Sequence, residues 1–260
     1  MCARLSAVAQ LTANTVKIQP LFNYWRLCAR EKPCCDASVR KYSRPVQFFC
    51  AAMKHIAIKS TNAPLLVGIT GASGVVYGVR LLELLRACNI ETHLIVSRAA
   101  QLTLAYETKL KLADVTQLAT VVHSNSDVGA ACSSGSFRTR GMVIAPCSIK
   151  TMAEIATGNT ANLISRAGDV VLKERRRLVL LLRETPLHIG HIRNMAAVTE
   201  AGAIVYPPVP AFYALPNSIE EMVDHTLGRV LELFDIDVGK VHRWTGERER
   251  PKTREPADRS

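Results

Sequence analysis

Residues 65–78, Leu-Leu-Val-Gly-Ile-Thr-Gly-Ala-Ser-Gly-Val-Val-Tyr-Gly, decide the fold. The short apolar run Leu65 to Ile69 has the composition of a strand covered on both faces. Gly71 and Gly74 then allow a sharp turn and a close backbone approach to a ligand. Ser73 can cap the helix that follows, or leave its hydroxyl and the nearby N–H groups to an anion. The stretch therefore reads as a phosphate-binding turn between a strand and a helix, opening an α/β domain. It lacks the Gly-Lys-Ser/Thr ending that grips a triphosphate and its magnesium. Its glycines at 68, 71 and 74 do not follow the dinucleotide spacing, and the next strand ends in Ser97 where a ribose-binding acid would stand. These departures disfavour nucleoside triphosphates and NAD and leave a mononucleotide such as FMN.

Outward from this turn, strand and helix patterns alternate. A helix is expected over Val75 to Cys88, a strand over Thr92 to Val96 and a helix over Arg98 to Glu107. Residues 108–123 read as a short helix and an edge segment, and Gly129 to Ser136 as a loop of small residues carrying Ser133-Ser134-Gly135-Ser136. A strand over Met142 to Ala145 precedes a helix starting near Ser148; Asn162 to about Arg176 reads as another helix. The strand Leu178 to Leu182, a helix near 188–200, the strand Ala203 to Tyr206 and a last helix over Ser218 to Phe234 complete the pattern. Such alternation implies a doubly wound, Rossmann-like parallel sheet in a single domain, with ligands at the carboxyl ends of the strands. Each of these five strand ends carries polar chemistry: Gly-Ala-Ser-Gly, Ser97, Pro-Cys-Ser-Ile-Lys-Thr, Arg-Glu-Thr-Pro and the proline-rich run to Tyr213.

The net charge of +11 is uneven. Residues 1–62 hold ten Lys/Arg against two acids, and the rest of the 260-residue chain is close to balance. The basicity thus belongs to a leader that resembles a mitochondrial transit peptide, with translation from Met53 or a plain extension as the alternatives. No basic stripe interleaved with aromatics marks a nucleic-acid face, and no apolar run approaches the length of a membrane span. Five of eight cysteines lie in the leader; Cys88, Cys132 and Cys147 form no CxxC pair, which fits a reducing compartment. The domain is expected over 63–245 and a disordered polar tail over 246–260.

Taken in order, GASG-x-x-YG-x-R-LL, THLIVS-x-AA, Glu107 in YET, SSGS, APCSIKT, RAGDVVLKERR, LVLLLRETP and PPVPAFY resemble the UbiX flavin prenyltransferases over about residues 64–245. The resemblance implies transfer of the dimethylallyl group of dimethylallyl monophosphate to N5 and C6 of reduced FMN. The product, prenylated FMN, serves a UbiD-type decarboxylase. It also implies homododecamers with shared active sites, and leaves the pathway, ubiquinone biosynthesis or aromatic-acid detoxification, open.

Without an Asp-rich magnesium motif, the leaving phosphate needs protein cations. Arg166 and Lys173 stand seven residues apart, two turns along one helix face, where both can address one phosphate. The neighbouring Arg175, Arg176 and Arg177 read as a solvated basic face. By resemblance, Tyr213, Arg229 and Trp244 complete the prenyl-phosphate site, the last by stabilising an allylic cation with its ring. Gly71, Ala72, Ser73, Ser97, Ser148, Ile149, Lys150, Thr151 and Arg183 would hold FMN. Glu184 is implied as acid–base residue with Glu107 assisting, and a buried carboxyl there would have a raised pKa suited to proton transfer. Ser73 and Lys173 are counted with the catalytic groups. His188 and His191 read as capping or interface residues and Cys147 as a small filler. The competing readings are an FMN-dependent cysteine decarboxylase and a non-catalytic flavin carrier.

Overall fold

The computed structural model describes residues 63–243 and 246. The leader 1–62, Trp244 and the tail beyond Gly246 lie outside the described residues. Six strands form one parallel sheet: β1 (Leu65–Ile69), β2 (Thr92–Val96), β3 (Val121–Ser124), β4 (Gly141–Cys147), β5 (Arg177–Leu182) and β6 (Ile204–Val205), in the order β3-β2-β1-β4-β5-β6. The helices are α1 (Val75–Ala87), α2 (Arg98–Glu107), α3 (Leu112–Thr116), α4 (Ile149–Thr157), α5 (Leu163–Lys173), α6 (Ile189–Glu200) and α7 (Ile219–Glu232).

Every residue of β1 and β4 is buried, as their apolar runs require. Side chains alternate between two cores. Leu65, Val67 and Ile69 face the core built with Leu82, Leu85, Leu104, Val115 and Leu227, so α1, α2, α3 and α7 cover that side. Leu66, Met142 and Ile144 face the core shared with Met152, Ile155, Leu163 and Val198, so α4, α5 and α6 cover the other. Each such fully buried aliphatic side chain is worth about 1.5–3 kcal/mol. The chain runs outward from β1 to β2 and β3, then returns to place β4 on the other side of β1. The strand order reverses between β1 and β4, and the carboxyl ends at such a reversal are where sheets of this kind bind their ligands.

Several boundaries differ from expectation: β6 is only Ile204–Val205, α7 ends at Glu232, and two further changes have a visible cause. β4 continues through Pro146 to Cys147, bridging a register shift between Ile144 and Cys147. The helix expected to reach Arg176 stops at Lys173. Arg175 adopts a left-handed φ of 56°, and the N–H groups of Arg175 and Arg176 close the helix end on Leu172 and Val171.

Candidate active site

The turn after β1 is built by close approach. A Cβ on Gly71 would lie 2.4 Å from that of Ala99, and the Thr103 hydroxyl donates to the Gly71 carbonyl at 3.1 Å. The helix that follows is capped otherwise than expected. Gly74, at φ 98°, is the N-cap of α1 and has no side chain to offer. The cap comes from Glu107, at the last turn of α2: Gly74 N–H donates to its carboxylate at 2.9 Å and Val75 N–H at 3.0 Å. The Ser73 hydroxyl and the Arg183 guanidinium stand close enough to the same carboxylate to stabilise its charge. Ser73 therefore serves Glu107 and does not cap the helix itself. Burial pushes the Glu107 carboxyl up, but the Ser73 hydroxyl, the two amides and Arg183 outweigh it and hold the pKa below the ordinary glutamate value. The raised pKa anticipated for an assisting acid is thus reversed at Glu107: a helix N-terminus favours an anion.

The next two strand ends repeat one device. Ser97 caps α2, accepting from Ala100 N–H at 3.1 Å, and Ser148 caps α4, accepting from Thr151 N–H at 3.3 Å. The Ser148 hydroxyl donates to Thr151 Oγ1 at 3.2 Å. Ile149 packs against the second core, while Lys150 projects outward beside Glu154 at 3.8 Å. Cys147 is fully buried, which pushes its thiol well above the ordinary range and makes it the small filler expected.

At the end of β5, Arg183 N–H donates to the Cys147 carbonyl at 3.2 Å, and the side chains of Arg183 and Glu184 are exposed. The burial expected of Glu184 is not found; among the described residues its carboxylate accepts from Thr185 N–H at 3.0 Å. His188 caps α6 through Gly190 N–H and stacks on His191 with ring centres 3.5 Å apart.

Arg166 and Lys173 are both on α5, half-exposed, and each is drawn to its own acid. Arg166 pairs with Asp169 at 3.4 Å and Lys173 with Glu174 at 2.6 Å. Lys173 lies against the small-residue loop: a Cβ on Gly135 would come within 2.6 Å of its Nζ. Arg176 shapes that loop, donating to the carbonyls of Phe137 at 2.6 Å and Gly135 at 2.9 Å. Arg177 donates to the Leu233 carbonyl. The solvated basic face expected of these arginines is therefore wrong for Arg176, which is spent on distant carbonyls, while Arg175 and Arg177 are exposed. Ser134 and Ser136, bonded to each other at 2.9 Å, stand on the same loop as Gly135, beside Lys173.

Past β6, Tyr206, Tyr213, Arg229 and Glu232 form a local group: burial raises the Tyr206 phenol pKa, and the charge of Arg229 partly offsets this. Tyr213 is half-exposed on the short turn Phe212–Ala214 and meets His225 edge-on at 5.6 Å. The sequence around Tyr206 does not single it out; only its position after a strand marks it. Trp244 lies outside the described residues.

The donor set at the carboxyl ends is hydroxyls, amides and the cation Arg183, around one ionised glutamate. That chemistry fits a flavin with its phosphate and carbonyl oxygens. Residues 55–236 match the model of the Flavoprotein family. The chain is 52% identical over 186 residues to flavin prenyltransferase UbiX of Thauera aromatica, covering 72% of this chain and 96% of the relative. The chain belongs to the UbiX flavin prenyltransferase family. It is 54% identical over 185 residues to the UbiX of Escherichia coli K12, covering 70% of this chain and 98% of that one. The crystal structure of AnUbiX (PadA1), in complex with FMN and dimethylallyl pyrophosphate, superposes with a TM-score of 0.70 at 50% identity, over 72% of this chain and 99% of that one. A dodecameric FMN-dependent UbiX-like decarboxylase from Escherichia coli O157:H7 gives 0.69 at 46% identity, over 70% and 100%. The Flavoprotein match over residues 55–236 holds the strand-end turns, α5 and the loop after β6.

Proposed function

We propose that this chain is a flavin prenyltransferase that takes reduced FMN and a dimethylallyl phosphate and yields prenylated FMN for a UbiD-type decarboxylase. The observation that carries this is a flavin-type donor set at the carboxyl ends of a UbiX-like sheet, in a chain 52–54% identical to flavin prenyltransferases. Reduced FMN, when bound, supplies the nucleophilic N5 and C6 positions. Gly71, Ala72, Ser73, Ser97 and residues 148–151 would line the phosphate and ring, with Arg183 as the fixed cation. Arg166 and Lys173 exchange their acids, Asp169 and Glu174, for the substrate phosphate and stabilise negative charge on it as it leaves. Glu107 stays ionised and holds Ser73 and the start of α1 in place. Glu184, exposed to solvent in one chain, takes and returns the proton that ring substitution displaces.

The site reads as completed by a second copy. Tyr213 and Arg229 belong to a region with exposed Phe212, Leu215 and Ile219, and Leu102 and Tyr106 on α2 are exposed as well. Apolar surface next to reactive groups supports a homo-oligomer, of the dodecameric kind named for the E. coli relative. The basic composition of residues 1–62 supports a mitochondrial destination, readable from a reporter fused to them.

A Glu184→Gln and Lys173→Ala pair tests the reading. The enzyme should keep flavin binding in both variants and lose turnover by about a hundredfold or more. Unchanged turnover in both would contradict the roles assigned to Glu184 and Lys173, and flavin binding with no turnover in the parent chain would favour a carrier.

A further inference from the structure

Between β1 and β4 the regular ladder ends at Gly68 and Ile144. Beyond it the two turns diverge, because α1 leaves for one face of the sheet and α4 for the other. One side chain spans the gap. Thr70 is 1% exposed, and its hydroxyl is used in both directions. It donates to the Pro146 carbonyl at 2.7 Å and accepts from Ser148 N–H at 2.8 Å. The Thr70 N–H reaches the same carbonyl at 3.3 Å. The residues joined are 76 and 78 positions apart in sequence.

The location of this latch gives it a consequence. Thr70 immediately precedes Gly71-Ala72-Ser73. Ser148 is the cap of α4, and the Cys147 carbonyl beside it accepts from Arg183 N–H. Three of the strand ends are therefore tied through one buried hydroxyl and the backbone of 146–148. A hydroxyl both donates and accepts in the space of a methyl group, which valine cannot do. With valine, a buried carbonyl loses its stronger donor and a buried N–H its acceptor, and the turns relax apart.

We propose that Thr70 is a positioning residue of the flavin site: its hydroxyl sets the separation of the β1 and β4 turns, and through it the affinity for FMN. The proposal rests on the reading of these strand ends as an FMN site. The test is flavin fluorescence titration of the full-length protein with FMN, for the parent chain and Thr70→Val, Thr70→Ser and Thr70→Cys. Circular dichroism and thermal melting are recorded on each. Thr70→Val should weaken FMN by about tenfold or more while Thr70→Ser stays within about threefold of the parent. The cysteine variant, which keeps the volume with a poor hydrogen-bonding group, should fall between; it carries the test if the valine variant does not fold. An FMN affinity unchanged in the valine variant, or in the cysteine variant if that is the one that folds, would overturn the proposal, even with a lowered melting temperature, because the hydroxyl would then be only structural. Equal weakening in the serine variant would also overturn it. A parent chain that does not bind FMN would instead bring down the flavin reading itself, and the role of Thr70 with it.

Discussion

Glu107 caps a helix to which it does not belong, and that makes it a measurable electrostatic element. Replacing it by glutamine keeps an oxygen for Gly74 and Val75 N–H but removes the charge. An anion at an exposed helix N-terminus is worth about 0.3–1 kcal/mol. Loss of a capping side chain altogether costs about 0.5–2 kcal/mol. Glu107→Gln should therefore destabilise by about 0.5–1 kcal/mol and Glu107→Ala by about 1–2 kcal/mol near neutral pH. The sign of the pH dependence follows from the lowered pKa. A carboxylate depressed in the folded state contributes its full stability above the unfolded value, near 4.5, and loses it as pH falls through the lower folded value. Urea unfolding followed by circular dichroism, at one protomer concentration, should show the parent and Glu107→Gln curves apart at neutral pH and converging in acid. A gap that persists undiminished in acid, or none at neutral pH, would refute this role of Glu107.

Arg176→Ala should release the loop carrying Gly135 and Phe137, lowering kcat/KM for the prenyl phosphate by about tenfold with FMN affinity kept; Arg176→Lys should not rescue it, since a single ammonium cannot replace a two-pronged guanidinium. Steady-state kinetics with each substrate varied in turn would check this. Gly71→Ala should push the turn off Ala99 at a cost of about 1–3 kcal/mol and release flavin, seen as loss of co-eluting FMN on gel filtration. His123 has its pKa lowered by burial and by neighbouring His93, against a partial opposing effect of Asp127. Stability should therefore decline as pH falls from 6.5 toward its lower folded value, and His123→Gln should flatten that limb of a urea-midpoint profile.

The fold was legible because its signals are local. Apolar runs of five or six residues, bounded by turns and alternating with helical patterns, leave little besides a parallel sheet with two covered faces. The hydroxyl caps Ser97 and Ser148 were equally visible, since a cap acts within three residues. What escaped was long-range. Nothing near Glu107 announces that its carboxylate closes a helix 32 residues upstream. Arg176 looked like its neighbours, yet its carbonyl partners lie 39 and 41 residues away. Arg175 ends α5 by a backbone conformation that arginine does not advertise. Thr70 reads as an ordinary strand-end residue until β4 is placed beside it.

Mass spectrometry of the flavin tests the central claim most directly. Full-length protein would be incubated anaerobically with reduced FMN and dimethylallyl monophosphate, without added magnesium, and the released flavin weighed. A prenyltransferase should give a mass gain of one isoprenyl unit, dependent on the protein and abolished in Lys173→Ala. Flavin recovered bound but unmodified, with dimethylallyl diphosphate failing as well, would contradict the claim.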